Sequence, residues 1–257
     1  LILVVLGCFW WLTRIIFQQK QLSELKNDFI NNMTHEFKTP IATIAFATAN
    51  IENEKRIHEP EQIRQFTRII KEENSRMNHQ VEQVLRAAVV GRNAFRLKQE
   101  PVNLHELINQ IADAMEVNIQ AAGGVLHRRL NAASAALTGD AFHLANVFSN
   151  LLDNARKYTD GPPDVTITSE NDPRGIWVKV SDKGVGMTAD AARKVFDQFY
   201  RIPTGNVHTV KGFGLGLSYA KAIVQQHGGD ISVESKPGQG SIFAVFLPFE
   251  HQVDDIS

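Results

Sequence analysis

Apolar residues recur at steps of three and four near the start of the chain. Leu22, Leu25, Phe29 and Met33 form one stripe; Ile63, Phe66, Ile70, Met77, Val81, Val84 and Ala88 form another. Such spacing puts side chains on one face of a helix. The polar stretch from Asn53 to Pro60 separates the stripes, so the pattern predicts an αα-hairpin from about Thr13 to Val90. A hairpin buries only one face against itself. The long stripe left over predicts a second copy and a four-helix bundle, hence a homodimer. Gly91-Arg92-Asn93 closes the second helix and Pro101 ends a short linker.

Beyond Pro101 the texture changes. Helical patterns run from Asn103 to Ala122, from Asp140 to Tyr158 and from Leu215 to His227, the last stopping at Gly228-Gly229. Strand-like runs alternate with them at Val165-Thr168, Ile176-Val180, Ile231-Glu234 and Ser241-Leu247. This mixture predicts an α/β sandwich, a mixed sheet with helices on one face. The tail from Glu250 is polar and should pack little.

Composition narrows the class. The 257 residues carry a net charge of -1, so no basic excess points to nucleic acid. One cysteine, Cys8, excludes an internal disulfide framework. Leu1 to Leu12 is an uncharged apolar run, short of the roughly 20 residues of a membrane span. It reads as the inner half of a transmembrane helix cut at its front. Trp10 and Trp11 suit an interfacial belt, and Arg14, Lys20 and Lys26 suit a cytoplasmic flank. A signal-peptide core or a buried helix is the alternative; for the first, the following TRIIFQQK offers no cleavage site. The expected divisions are a membrane segment at 1–16, a signalling helix and hairpin at 17–91, a linker at 92–102, an α/β domain at 103–249 and a tail at 250–257.

Chemistry gathers at a few points. Pro40 removes a backbone donor and should kink its helix one turn beyond His35. A neutral imidazole offers a nucleophilic lone pair on one nitrogen. Glu36 beside it could hold the proton on the other nitrogen or draw it off. Taken alone, a His-Glu pair on a helix is more often a plain surface pair. Further on, Asn150, Asn154 and Lys157 share a helical face. Amide oxygens suit Mg²⁺, and a lysine one turn on could meet a phosphate. An ordinary polar helix face is the alternative. Asp182 ends a strand and can accept a hydrogen bond from an exocyclic amine such as adenine's. Gly184 and Gly186 let backbone approach a flat ring, or simply make a tight turn. Lys211-Gly212-Phe213-Gly214-Leu215-Gly216-Leu217 leads into a helix, a ready anion site. Its spacing is neither that of the Rossmann fingerprint nor of the P-loop.

His35-Glu36-Phe37-Lys38-Thr39-Pro40 resembles the His-Glu-x-x-Thr-Pro hallmark of the dimerisation and histidine-phosphotransfer domain of sensor histidine kinases. The later segments resemble that family's ATP-binding domain, a fold shared with gyrase, Hsp90 and MutL ATPases. Asn150 to Tyr158 resembles its N box, Asp182 to Gly186 its first glycine box and Phe196 to Arg201 its F box. Gly212 to Leu217 and Gly238-Gln239-Gly240-Ser241 resemble its later glycine boxes. The resemblance runs over nearly all of residues 20–248.

It implies that His35 is phosphorylated from Mg-ATP, that Glu36 is its general base, and that Thr39 places water for dephosphorylation of the partner. It implies that Asn154 holds Mg²⁺, Asn150 supports the phosphates, Lys157 and Tyr158 border phosphate and sugar, and Asp182 reads adenine. Gly184, Gly186, Gly212, Gly214, Leu215 and Gly216 would line the nucleotide. Arg201 and Lys211 would stand at the ends of a covering segment, in which His208 reads as a solvated loop residue. The phosphoryl group would pass to an aspartate of a response regulator receiver domain. The protein would sit in the inner membrane of a bacterium with its kinase part in the cytoplasm. An ATP-driven clamp and a non-catalytic ATP-binding scaffold are the rival readings. About 23 residues, roughly 35 Å of helix, separate Leu12 from His35, so the membrane segment is expected to couple straight into the bundle.

Overall fold

The computed structural model describes residues 2–52, 60–90, 97–202 and 214–249. The chain divides into two compact units, Leu1–Leu85 and Arg86–Ser257.

The first unit is helical. Helix α1 (Ile2–Ile51) is longer than the stripe suggested, and it runs through Pro40 without ending there. Pro40 has no N–H for the carbonyl of Glu36 one turn back. Hydroxyl-to-carbonyl bonds from Thr34 to Ile30 (2.8 Å) and from Thr43 to Thr39 (3.1 Å) flank that gap. Helix α2 (Pro60–Val90) opens on a proline, whose fixed φ suits a first helical position. The hairpin is pinned near its turn by Phe46 and Phe66, edge to face at 6.4 Å, and Ala47 is fully buried. Apolar side chains of the hairpin stay open: Ile63 of the second stripe is 42% exposed, and Phe46 and Ile41, outside both stripes, are 63% and 52% exposed. Large apolar side chains before Arg14, including Trp10 and Trp11, are exposed as well. Among the described residues no helix is long and apolar enough to cross a membrane. The Gly91-Arg92-Asn93 stop lies outside the described residues.

The second unit contains β1 (Glu100–Asn103), α3 (Leu104–Ala121), β2 (Val125–Leu130), β3 (Ala136–Gly139), α4 (Ala141–Lys157), β4 (Asp164–Asp172) and β5 (Gly175–Asp182). The short α5 (Ala189–Lys194), then α6 (Gly216–Gln226), β6 (Asp230–Lys236) and β7 (Gly240–Pro248) complete it. Five strands form one mixed sheet in the order β2-β4-β5-β7-β6, with β2 parallel to β4 and the others antiparallel. Strands β1 and β3 form a separate ribbon. Alternation in β5 and β7 turns Ile176, Val178, Val180, Phe243, Val245 and Leu247 inward. They share one core with Phe148, Leu151 and Leu152 of α4 and with residues of α3 and α6. The other face is more polar and carries Trp177 against Phe246 at 5.2 Å.

Side chains fix where the helices begin. Asn103 caps α3, accepting from the N–H groups of His105 and Glu106, while its amide donates to Glu106. Asp140 caps α4: Oδ1 accepts from the His143 N–H and Oδ2 from the Lys98 N–H. The Asp140 N–H in turn donates to Nε2 of His227, whose Nδ1 meets the Ile223 carbonyl at 2.8 Å. That leaves His227 neutral, with its proton on Nδ1. His143 reaches the Tyr219 hydroxyl at 2.7 Å. The start of α4 is thus tied to α6 by a buried polar clasp, and these two helices carry Asn150, Asn154, Lys157 and Gly216 of the candidate site.

Candidate functional site

The expected site residues fall in both units. His35, Glu36 and Thr39 lie in the helical unit, on two consecutive turns of α1; Glu36 is half-buried and Thr39 exposed. A shallow groove beside them is lined by Lys38, Thr39, Ala42, Thr43 and Phe46.

In the α/β unit the other residues converge around the end of α4. Asn150, Asn154 and Lys157 occupy one face of that helix, all half-buried. Gly216 opens α6 directly against Asn150: a Cβ there would lie 3.4 Å from the Asn150 amide oxygen. A Cβ there would rest in ordinary van der Waals contact with that amide, so the two elements meet closely. The N-terminal amides of α6 and their share of the helix dipole therefore stand beside the Asn150 side chain, as an anion site requires. Leu215, buried just ahead, anchors that end.

Asp182 ends β5, and both hydrogen bonds that hold its carboxylate fall on Oδ1: from the Gly184 N–H at 2.8 Å and the Ser241 N–H at 3.2 Å. Oδ2 remains for a ligand's donor. Burial pushes this carboxyl above its ordinary range, and the two backbone donors pull against that. The loop after Asp182 is sewn to the end of α4, for the Val185 N–H donates to the Tyr158 carbonyl at 2.9 Å. Gly186 has φ +65°, and a side chain there would strike the Lys236 carbonyl; one at Gly240 would strike that of Asp182. These close approaches make the Asp-x-Gly-x-Gly run more than a simple turn.

Tyr158 and Arg201 act on each other. Burial raises the phenol, the Arg201 guanidinium lowers it, and the Asp153 carboxylate raises it further. The Phe-rich segment is fixed from below: Phe196 stands edge-on to Phe243 of β7 at 6.3 Å, with the Lys221 ammonium 5.7 Å from its ring centre. The Phe199 N–H donates to the Gly214 carbonyl at 3.0 Å, with Phe199 at φ 65° and Gly214 at φ 69°. A non-glycine residue in that region is uncommon and marks a backbone that its surroundings over-determine. Lys211, Gly212 and His208 lie outside the described residues.

The donor set fits Mg-nucleotide chemistry. Two amide oxygens one helical turn apart suit a hard cation, and glycine-cleared backbone beside a helix N-terminus suits phosphates. Reading the sequence did not anticipate the holder of Asp182: Ser241 pairs with it across the β5–β7 ladder. The Gly-x-Gly-Ser run was the available signal, but only the register brings it to Asp182. Nor was Asp153 singled out, although it grips both Arg156 and Lys157.

Two family models match the chain. His Kinase A (phospho-acceptor) domain covers residues 25–88, and Histidine kinase-, DNA gyrase B-, and HSP90-like ATPase covers residues 139–251. Sensor protein RprX of Bacteroides fragilis is 38% identical over 96% of the chain and 48% of its own length. The crystal structure of full-length ShkA in complex with AMPPNP superposes with a TM-score of 0.65 at 26% identity, covering 84% of this chain and 44% of that one. Histidine kinase ThkA, solved in complex with response regulator protein TrrA, shares the fold with a TM-score of 0.60 at 24% identity, over 90% of this chain and 64% of ThkA. The chain spans about half the length of RprX.

Proposed function

We propose, from the premise that this chain belongs to the sensor histidine kinase family, that it transfers the γ-phosphoryl group of ATP to a ring nitrogen of His35. The bond between the bridging oxygen and the γ-phosphorus breaks, a nitrogen–phosphorus bond forms, and ADP leaves. Glu36 takes or holds the imidazole proton. Such transfer depends on positioning and charge neutralisation more than on covalent help from the protein.

The observation that carries the nucleotide half of this reading is the Asp182 carboxylate. Its Oδ1 is saturated by two backbone donors, at the end of a strand stitched to the Asn-bearing helix. A half-buried carboxylate held this way is suited to an exocyclic amine. Asn150, Lys157, Tyr158, Arg201, Gly214 and Gly216 line the polyphosphate and sugar, and Gly184 and Gly186 flank the base. Asn154 holds Mg²⁺, which when bound offsets phosphate charge. The AMPPNP complex of ShkA supports a nucleotide in this fold. Lys211 and Gly212, outside the described residues, belong to the nucleotide-binding set in this reading.

The finer readings follow from the helical unit. The exposed apolar side chains of the hairpin, Ile41, Phe46 and Ile63 among them, support pairing with a second copy into a four-helix bundle. A response regulator receiver domain then takes the phosphoryl group on an aspartate, as the TrrA complex of ThkA suggests. Thr39, one turn beyond His35, places water for the reverse, phosphatase reaction. The exposed run before Arg14 associates with a bacterial inner membrane, leaving the kinase part in the cytoplasm. The membrane segment, signalling hairpin, linker, α/β domain and tail keep the boundaries 1–16, 17–91, 92–102, 103–249 and 250–257 in this reading.

The deciding experiment incubates the protein and its His35→Gln variant with Mg²⁺ and γ-labelled ATP. Acid-labile, base-stable label that vanishes in the variant is the expected result. ATP binding with no label in either protein overturns the kinase reading in favour of a clamp or scaffold.

A further inference from the structure

The end of α4 holds more charge than phosphate binding needs. Asp153 stands one residue before Asn154 and one turn before Lys157. Its Oδ1 accepts from Arg156 at 3.0 Å and its Oδ2 lies 2.5 Å from the Lys157 ammonium. The three side chains are each about one-third exposed (33% for Arg156 and Asp153, 31% for Lys157), so solvent screens them only in part. Tyr158 responds electrostatically to Asp153 and to Arg201 alike. One carboxylate therefore sits between two cations, Arg156 and Lys157, beside the proposed polyphosphate path.

The two arms of this fork differ. Arg156 is spaced three residues from Asp153, and its Nε is buried with no hydrogen-bond partner among the described residues. Its guanidinium is therefore held to the helix by its bond to Asp153 and by packing. Lys157 is a point charge on a flexible four-carbon stem that swings at little cost. A phosphate drawing Lys157 away leaves Asp153 still paired with Arg156, so release strands no charge. Until that release the carboxylate competes for the ammonium, and afterwards it repels the phosphate.

We propose that Asp153 is a positioning residue that competes with the nucleotide polyphosphate for Lys157 and so weakens and tunes nucleotide affinity. This rests on the ATP reading above. The bland alternative is an i,i+4 helix pair with no bearing on ligand.

The test is direct binding to the whole chain of three probes: a non-hydrolysable ATP analogue with Mg²⁺, ADP with Mg²⁺, and adenosine. Wild type, Asp153→Asn and Asp153→Glu are compared at low and at raised salt. Asp153→Asn is expected to bind the triphosphate about three- to fivefold more tightly, the scale of a partly exposed ion pair. ADP should gain less and adenosine nothing, and the gain should shrink with salt. Asp153→Glu should behave as wild type. In turnover the same change should lower KM for ATP and leave kcat alone. Unchanged or weaker triphosphate binding in Asp153→Asn overturns the proposal, and so does an equal shift for adenosine, which marks a structural role. A wild-type protein that binds none of the probes fails the ATP reading itself, and the proposal with it.

Discussion

The two units treat their large apolar side chains in opposite ways. In the α/β unit Phe148, Leu151, Leu152, Ile176 and Leu247 are almost wholly hidden between the sheet and its helices. In the helical unit Phe46, Ile41, Ile30 and Ile63 remain open along the same hairpin. Polar groups follow suit. The α/β unit locks Asp140, His227 and Asp182 into bonds that join distant segments. In the helical unit the hydroxyls of Thr34, Thr43, Thr48 and Thr67 make local bonds instead, reaching four residues back along the same helix. A unit that closes its own core can hold a nucleotide cradle to a fraction of an ångström. A unit with an uncovered stripe takes its stability from whatever covers it, and so can be remodelled by that partner.

The sharpest way to break this contrast is to separate the units. A fragment of residues 97–249 should melt cooperatively at a midpoint independent of concentration. A hairpin fragment should gain helix and stability with concentration, read by circular dichroism; a dilute hairpin as stable as a concentrated one removes the distinction. Next in size is Phe148→Ala. Phe148 is 1% exposed, so the truncation should cost about 3–5 kcal/mol in denaturant unfolding of the α/β unit. His227→Leu should cost about 1–3 kcal/mol, because it strands the buried Asp140 N–H. Phe46→Ala should cost under about 1 kcal/mol in dilute chain, since the ring is largely exposed, yet weaken self-association measurably in sedimentation.

The smallest effect on stability, though not on ligand, belongs to Asp182. Its folded pKa is raised, so any stability it contributes is complete below the unfolded pKa and is lost as pH rises through the folded one. At neutral pH the buried charge is a cost. Asp182→Asn should therefore leave the melting temperature equal or slightly higher while abolishing adenine-dependent binding. Wild-type affinity for ATP should weaken as pH falls toward the raised pKa and the acceptor gains a proton. A melting temperature that drops sharply in Asp182→Asn contradicts this assignment.

The helices and central strands were legible because each repeats a period over many residues. Helices α3, α4 and α6 and strands β4 to β7 fall where the periodicity put them, a residue or a few longer or shorter. Strands β1, β2 and β3 and helix α5 escaped notice for a physical reason. They are short, and β2 alternates weakly, with Val125 half exposed and two arginines in its six residues. Their existence depends on pairing with partners far along the chain: β1 with β3, and β2 with β4. Pro40 announced a kink, and α1 runs on through it unbroken, since one missing bond in fifty residues is minor when the flanking turns stay intact.

What the sequence by itself determined was chemistry and order: a histidine followed by Glu-x-x-Thr-Pro, amides at helical spacing, and glycines at positions where backbone must come close. Those are local properties, and a linear string carries them whole. Only the tertiary structure decided which neighbours complete each group. It brought Gly216 to Asn150, the Ser241 amide to Asp182, and His227 beneath the cap of α4. Asp182 and Ser241 stand 59 residues apart in sequence, and their meeting follows from strand register, which the hydrophobic packing of the whole sheet sets at once.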